Sequence, residues 1–171
     1  MEPVRSDTTT DRRTAVELAK RLLVDSIWRT AKIEVDGVTF PDTQEIFDGR
    51  APEGMSVDDI VTVNNIKRAW RFLLENIDYP VDWQYIREYN RIIGEGLVRD
   101  AGRLREYGVR IGGTGWVPEI PAVESSRERV RGILEESEGE DTAMLLFGAV
   151  TRGQWFSDGN KRTALMVANH Q

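Results

Sequence analysis

Gly153-Gln154-Trp155-Phe156-Ser157-Asp158-Gly159-Asn160-Lys161-Arg162-Thr163 is the stretch on which the reading of this chain turns. A Gly-Asn pair directly ahead of a helical run leaves several amide N–H groups without partners inside the helix. Those amides and the helix dipole favour an anion. Gly159 has no Cβ, so a phosphate can come close to the backbone. Lys161 and Arg162 place two positive charges in the first turn, which helix stability does not ask for, and so point to an anionic ligand. Asp158 beside them is suited to holding a divalent cation between phosphates. The plain alternative is a capped helix start with surface Lys and Arg, and spacing alone divides evenly between the two. The stretch is not a Walker loop, because it lacks the Gly-Lys-Ser/Thr ending.

Outward from this stretch the chain reads as helical. The helix that follows carries Ala164, Leu165, Val167 and Ala168 and is still in phase at Gln171, so the domain is expected to be trimmed at its C-terminus. Upstream, Asp141-Thr142 opens a helix with Ala143, Leu146, Phe147 and Val150, and Ser125-Ser126 opens another through Leu134. Trp83, Ile86, Tyr89, Ile92 and Ile93 give a helix ended by Gly94 or Gly96. Ser56 caps a long helix with Ile60, Val63, Ile66, Ala69, Trp70, Leu73 and Leu74 as its stripe. A short helix opens at Pro41 and stops at Gly49, and a first helix runs from about Asp11 to Trp28, with capping candidates in Thr8-Thr9-Thr10-Asp11. Residues 1–10 read as a disordered polar tail, and 11–171 as a single domain. One segment breaks the helical pattern. Val109 to Pro118 alternates, is β-branched and holds three glycines in four positions, so it reads as a β-hairpin whose second arm, followed by Pro121, is an exposed edge.

Composition narrows the classes. The 171 residues are 40% hydrophobic and 30% charged, an ordinary globular mix with room for one sizeable core. There is no apolar run long enough to span a membrane and no signal-peptide pattern, so the expected compartment is the cytoplasm. There are no cysteines, which removes disulfides and thiolate metal sites. The net charge of −6, with basic residues dispersed among acids, argues against a nucleic-acid groove. Any phosphate must therefore be held locally, by aimed amides and one or two cations.

The segment Gln154-Trp155-Phe156-Ser157-Asp158-Gly159-Asn160-Lys161-Arg162 resembles the Fic/Doc family, whose signature runs His-x-Phe-x-Asp/Glu-Gly-Asn-Gly/Lys-Arg; every position but the first matches. Gly102, Arg103, Val109, Ile111, Gly112, Gly113 and Thr114 resemble the family's β-hairpin flap. Thr30-Ala31-Lys32-Ile33-Glu34, in a region of about 28–36, resembles the inhibitory Ser/Thr-x-x-x-Glu motif of its self-inhibited class. The order of the three segments is also the family's. The resemblance implies a mainly α fold, a helical bundle with a short hairpin flap. It implies AMP transfer from ATP to a hydroxyl of a target protein, with Mg2+. On that resemblance Phe156 is a core anchor, Asp158 holds the metal, Gly159, Asn160 and Lys161 cradle the phosphates, and Arg162 contacts phosphate. Ile111 to Thr114 align the target segment as an added strand, and Glu34 inhibits. No nucleic-acid or membrane partner is implied, and self-association is left open.

Three positions depart from the family pattern. The family's general base is His, and here it is Gln154, whose amide has no useful basicity near neutral pH. Loss of a positioned base typically costs two to four orders of magnitude in rate, roughly 3–5 kcal/mol. The only histidine, His170, lies over two helical turns past Arg162, about 12 Å along the axis, and is expected to have a surface or core role. The second Arg carried by many members is Leu165, so Glu34 is expected to lose its ion pair. The residue after it is Val35 rather than Gly or Asn. Absence of the second Arg leans toward the Doc-like branch, one type of which transfers phosphate, again through the His. Three readings stay open: a weak transferase with an unusual base, a non-catalytic module binding a nucleotide, another phosphorylated ligand or a protein partner, and a His-to-Gln replacement made to trap a complex.

Overall fold

The computed structural model describes residues 12–171. The expected tail at 1–10 and the capping candidates Thr8 to Asp11 lie outside them. Among the described residues the architecture is all helix: α1 (Arg12–Arg21), α2 (Leu23–Ala31), α3 (Phe40–Phe47), α4 (Val57–Asn76), α5 (Trp83–Gly94), α6 (Val123–Glu136), α7 (Gly139–Gly153) and α8 (Asn160–His170). No helix among them is long and apolar enough to cross a membrane.

The expected first helix is two. Leu22 sits at φ −95, ψ 14, between α1 and α2. Hydrogen bonds from Leu22 N to Leu18 O and from Ser26 N to Leu22 O carry the chain across, so the break is a kink. Ile27 enters the core while Leu18 and Leu22 stay at the surface. The other helices begin where local chemistry places them. Thr39 and Asp42 form a capping box at α3, Ser56 accepts from Asp59 N at α4, and Asp82 accepts from Gln84 N and Tyr85 N at α5. The expected openings at Ser125 and Asp141 fall three residues after the observed caps, Ala122 and Glu138, which hold those positions without a side-chain bond.

Helices α4, α5, α7 and α8 pack around a core that includes Ile66, Trp70, Ile86, Tyr89, Ile93, Leu146, Val150, Phe156 and Met166. Polar ties inside it are few and specific. Asn65 Nδ2 donates to Ile93 O and Glu95 O, closing the end of α5 against α4. Trp70 Nε1 donates to Thr30 Oγ1 at 3.1 Å, which seats the end of α2 on α4. Trp83 meets Trp155 edge to face at 5.3 Å.

The expected hairpin is absent. Residues 109–118 contain no strand; the one β-bridge among the described residues joins Leu104 to Phe156. The bonds within the segment are local: Thr114 N and Oγ1 both donate to Ile111 O, and Thr114 Oγ1 accepts from Trp116 N. A lone two-stranded ribbon is marginal in water, and three glycines and two nearby prolines weaken it further. The carbonyls flanking the segment bond instead to a buried arginine, described below.

Candidate functional site

The loop between α7 and α8 is built from both ends. At its start Gln154 is the one non-glycine residue with positive φ (44°) among the described residues, and its N–H closes α7 on Val150 O. Its side chain folds back: Nε2 donates to Thr151 O at 2.7 Å and Oε1 accepts from Asn160 Nδ2 at 3.3 Å. Phe156 is 1% exposed and anchors the loop in the core, as expected. Asn160 brackets it, accepting from Phe156 N and donating to Phe156 O.

Gly159 caps α8 at φ 75°, where an L side chain is strained. A Cβ there would lie 3.2 Å from Ile93 Cγ2 and 3.3 Å from Asn90 Nδ2, so the loop sits directly on α5. Asn90, buried in α5, is the node beneath it. Its Nδ2 donates to Asp158 O (2.8 Å) and Thr163 Oγ1 (3.2 Å), and its Oδ1 accepts from Gly102 N (2.8 Å). Ser157 Oγ adds a bond to Asp100 at 2.6 Å. Sequence reading passed over Asn90, because a polar residue on a helix's inner face shows its role only once the loops it joins are in place.

One cavity of about 220 Å3 is lined by Ile33, Glu34, Gln154, Ser157, Asp158, Gly159, Asn160, Lys161 and Arg162. It gathers the whole expected phosphate segment together with Glu34, which is more than 100 residues away in the chain. Ile111 to Thr114 do not line it. Larger clefts exist, one of about 440 Å3 between α5 and α6 for instance, so size alone does not locate the site. Within the cavity Lys161 is exposed at the rim, whereas the Arg162 side chain is only 3% exposed. Its Nη2 lies 3.0 Å from Asp158 Oδ2 and 3.2 Å from Glu34 Oε2.

This pair corrects an expectation. Glu34 does not lose its ion pair for want of an arginine at position 165; it takes Arg162. The turn after α2 makes this reachable. The helix ends at Ala31 rather than continuing to 36; Glu34 N and Val35 N both bond to Ala31 O, and Val35 is buried, which pins the turn and turns Glu34 toward α8. Val35, a departure from the family pattern, is thus the turn's anchor. Leu165 packs half-buried against the core.

A divalent cation fits the donor set in one manner. Asp158 is half exposed and offers one carboxylate at the start of α8, and Mg2+ commonly takes one or two carboxylates with the rest of its shell from phosphates and water. No group of three or more His, Asp or Glu converges among the described residues.

His170 has the expected core role. It is 1% exposed, with Nδ1 2.7 Å from Tyr89 Oη and Nε2 2.9 Å from Asn76 O. Burial pushes its imidazole below the ordinary value. Trp116 is half-exposed, as expected of the 109–118 segment, yet its Nε1 donates to Arg152 O and the Arg152 guanidinium lies 5.1 Å from its ring.

No family model and no curated protein matches the sequence. Solved structures do. Fic-1 from C. elegans superposes with a TM-score of 0.76 at 20% identity, over 95% of this chain and 52% of that one. The fold is that of a Fic domain. A Fic family protein from Desulfovibrio desulfuricans matches at TM-score 0.69 and 18% identity, covering 90% of this chain and 48% of the other. A Fic domain containing signaling protein from Bacteroides thetaiotaomicron matches at 0.70 and 17%, covering 95% and 67%. The chain spans about half the length of the first two.

Proposed function

We propose that this Fic-fold chain binds the phosphates of a nucleotide, ATP with Mg2+, at the start of α8, that it transfers AMP to a protein hydroxyl weakly or not at all, and that Glu34 restrains the site. The observation that carries the reading is the single cavity in which Asp158, Gly159, Asn160, Lys161 and Arg162 meet Glu34 and Gln154. In the proposed complex the first-turn amides of α8 and Lys161 take phosphate oxygens, and Arg162 supplies a planar fork of donors. Asp158 holds the cation, which would neutralise phosphate charge when bound.

Two features support weak transfer. Gln154 occupies the position of the family base, and both ends of its amide are engaged, by Thr151 O and Asn160 Nδ2. An amide cannot take the proton of an attacking hydroxyl. His170 cannot replace it, being buried among Tyr85, Tyr89 and Asn76. The restraint rests on Arg162, whose guanidinium is already held by two carboxylates. A phosphate that recruits it must displace Glu34. The cavity is also smaller than the roughly 300–1,000 Å3 common for ligand pockets, in keeping with a site partly filled by Glu34.

Calorimetry with ATP and Mg2+ on the complete chain tests the binding. Glu34→Gln keeps the side chain's shape and removes the charge; since Glu34 is half exposed, the gain is about 1 kcal/mol, or about fivefold tighter binding. No binding to either chain would overturn the proposal. A labelling assay comparing the parent with Gln154→His tests the transfer step: labelling should rise by at least about a hundredfold. Equal, vigorous labelling by both would show that residue 154 is not the limiting base.

A further inference from the structure

Arg105 is the largest side chain buried to within 2% of full burial, yet its partners are all backbone carbonyls. Its Nε donates to Gln154 O, its Nη1 to Tyr107 O, and its Nη2 to Glu119 O at 2.5 Å and to Pro118 O at 3.5 Å. Its own N–H donates to Trp155 O at 2.9 Å, next to the bridge between Leu104 and Phe156. A charge removed from water is tolerated only when dipoles replace the lost hydration. Here those dipoles come from three places: the turn into the signature loop, and the chain on either side of the segment that the sequence marks as a flap.

We propose that Arg105 is a positioning residue that fixes the 107–119 segment and the backbone of residue 154 as one body. The guanidinium presents five donors in a rigid plane, so the carbonyls it collects have their spacing and direction set by its shape. At residue 154 the consequence is specific. The residue holds a left-handed backbone, and its carbonyl direction, once bound by Arg105 Nε, sets where its Cβ points. Any side chain there, glutamine or histidine, is aimed by Arg105. On the other side the same fork holds both flanks of a segment that has no ladder of its own. A lysine keeps the charge but concentrates three donors at one point and cannot span the three places. The inference rests on the proposed function only for why the aim matters; the coupling itself does not.

Hydrogen exchange on the complete chain tests it. In the unmodified protein under rising denaturant, amides of 107–119 and of 153–158 should open together, with one free energy and one denaturant dependence. Two separate openings would overturn the coupling. In Arg105→Lys both stretches should exchange faster, by about tenfold, while α2 and α4 keep their parental rates. Acceleration confined to one stretch, or spread over all helices, would overturn it. In a Gln154→His background, Arg105→Lys should lower kcat for labelling about tenfold with KM for ATP changed by less than about twofold. A raised KM at unchanged kcat would contradict an aiming role. A Gln154→His chain that does not label at all overturns the reading of residue 154, and the exchange result still decides Arg105.

Discussion

At Asn90 one amide decides how three segments meet. Its two ends satisfy Asp158 O, Thr163 Oγ1 and the Gly102 amide; the last two bonds are buried and the first is part-buried. Gly102 is held in turn by Arg87 Nε on its carbonyl, and a Cβ at Gly102 would lie 3.0 Å from Arg87 O, so the chain passes too close to α5 for any side chain. Asn90→Ala removes both ends of the amide and strands the buried Gly102 N–H and the part-buried Asp158 carbonyl. Each unsatisfied group costs about 1–3 kcal/mol, so the variant should lose about 2–4 kcal/mol in urea unfolding. Its Mg2+-ATP affinity should fall as well, because Asp158 and Gly159 lose their seat. Stability within about 0.5 kcal/mol of the parent would mean that water replaces the amide. A polar residue on an apolar helical stripe gives no sign in sequence of whether it faces solvent or a loop. The sequence therefore singled out the loop at 154–162 but not the residue that holds it.

Elements were legible where one local rule dominates. The Ser56 cap, the Pro41 opening and the stripes of α4 and α5 stand where periodicity puts them. Elements were missed where tertiary contacts override local pattern. Alternating Val109 to Pro118 reads as a hairpin, yet a buried arginine binds the carbonyls flanking it. The turn after α2 shows the same logic in the site's favour. Glu34 reaches Arg162 because Val35 is buried and draws the turn inward. Val35→Ala deletes two buried methyl groups without touching either charge. It should cost about 1–2 kcal/mol of stability and also loosen Glu34. Mg2+-ATP should then bind more tightly than to the parent, in the direction of Glu34→Gln. Weaker binding, measured by the same calorimetry, would show that the turn supports the cradle rather than restraining it.

The bundle as a whole closes where α4, α5 and α8 meet, and His170 is the group at that junction. It bonds Tyr89 of α5 and Asn76 at the end of α4, and its ring stands edge-on to Tyr85 at 5.0 Å. The bond to Asn76 O requires the N–H on Nε2, which leaves Nδ1 to accept from Tyr89 Oη, so a neutral ring satisfies both contacts. Protonation would place a second N–H against the Tyr89 hydroxyl and a charge in the core. The imidazole is accordingly lowered from its ordinary 6.5, by burial first, with the Arg12 charge adding to it and backbone bonds at Asn76 and Tyr79 opposing. The sign follows from proton counts. Below pH 6.5 the unfolded chain takes up a proton at His170 that the folded chain refuses, so folding stability falls as pH drops from 6.5 toward the lowered folded value. Within that window the contribution is up to about 1.4 kcal/mol per pH unit. His170→Gln keeps an amide donor and acceptor at the junction and cannot titrate. Unfolding free energies of the parent and His170→Gln, measured from pH 7.5 down to about 5, should therefore diverge in slope by up to one proton, with the parent losing stability faster. Parallel curves would mean that the junction opens enough to let His170 protonate in the folded state.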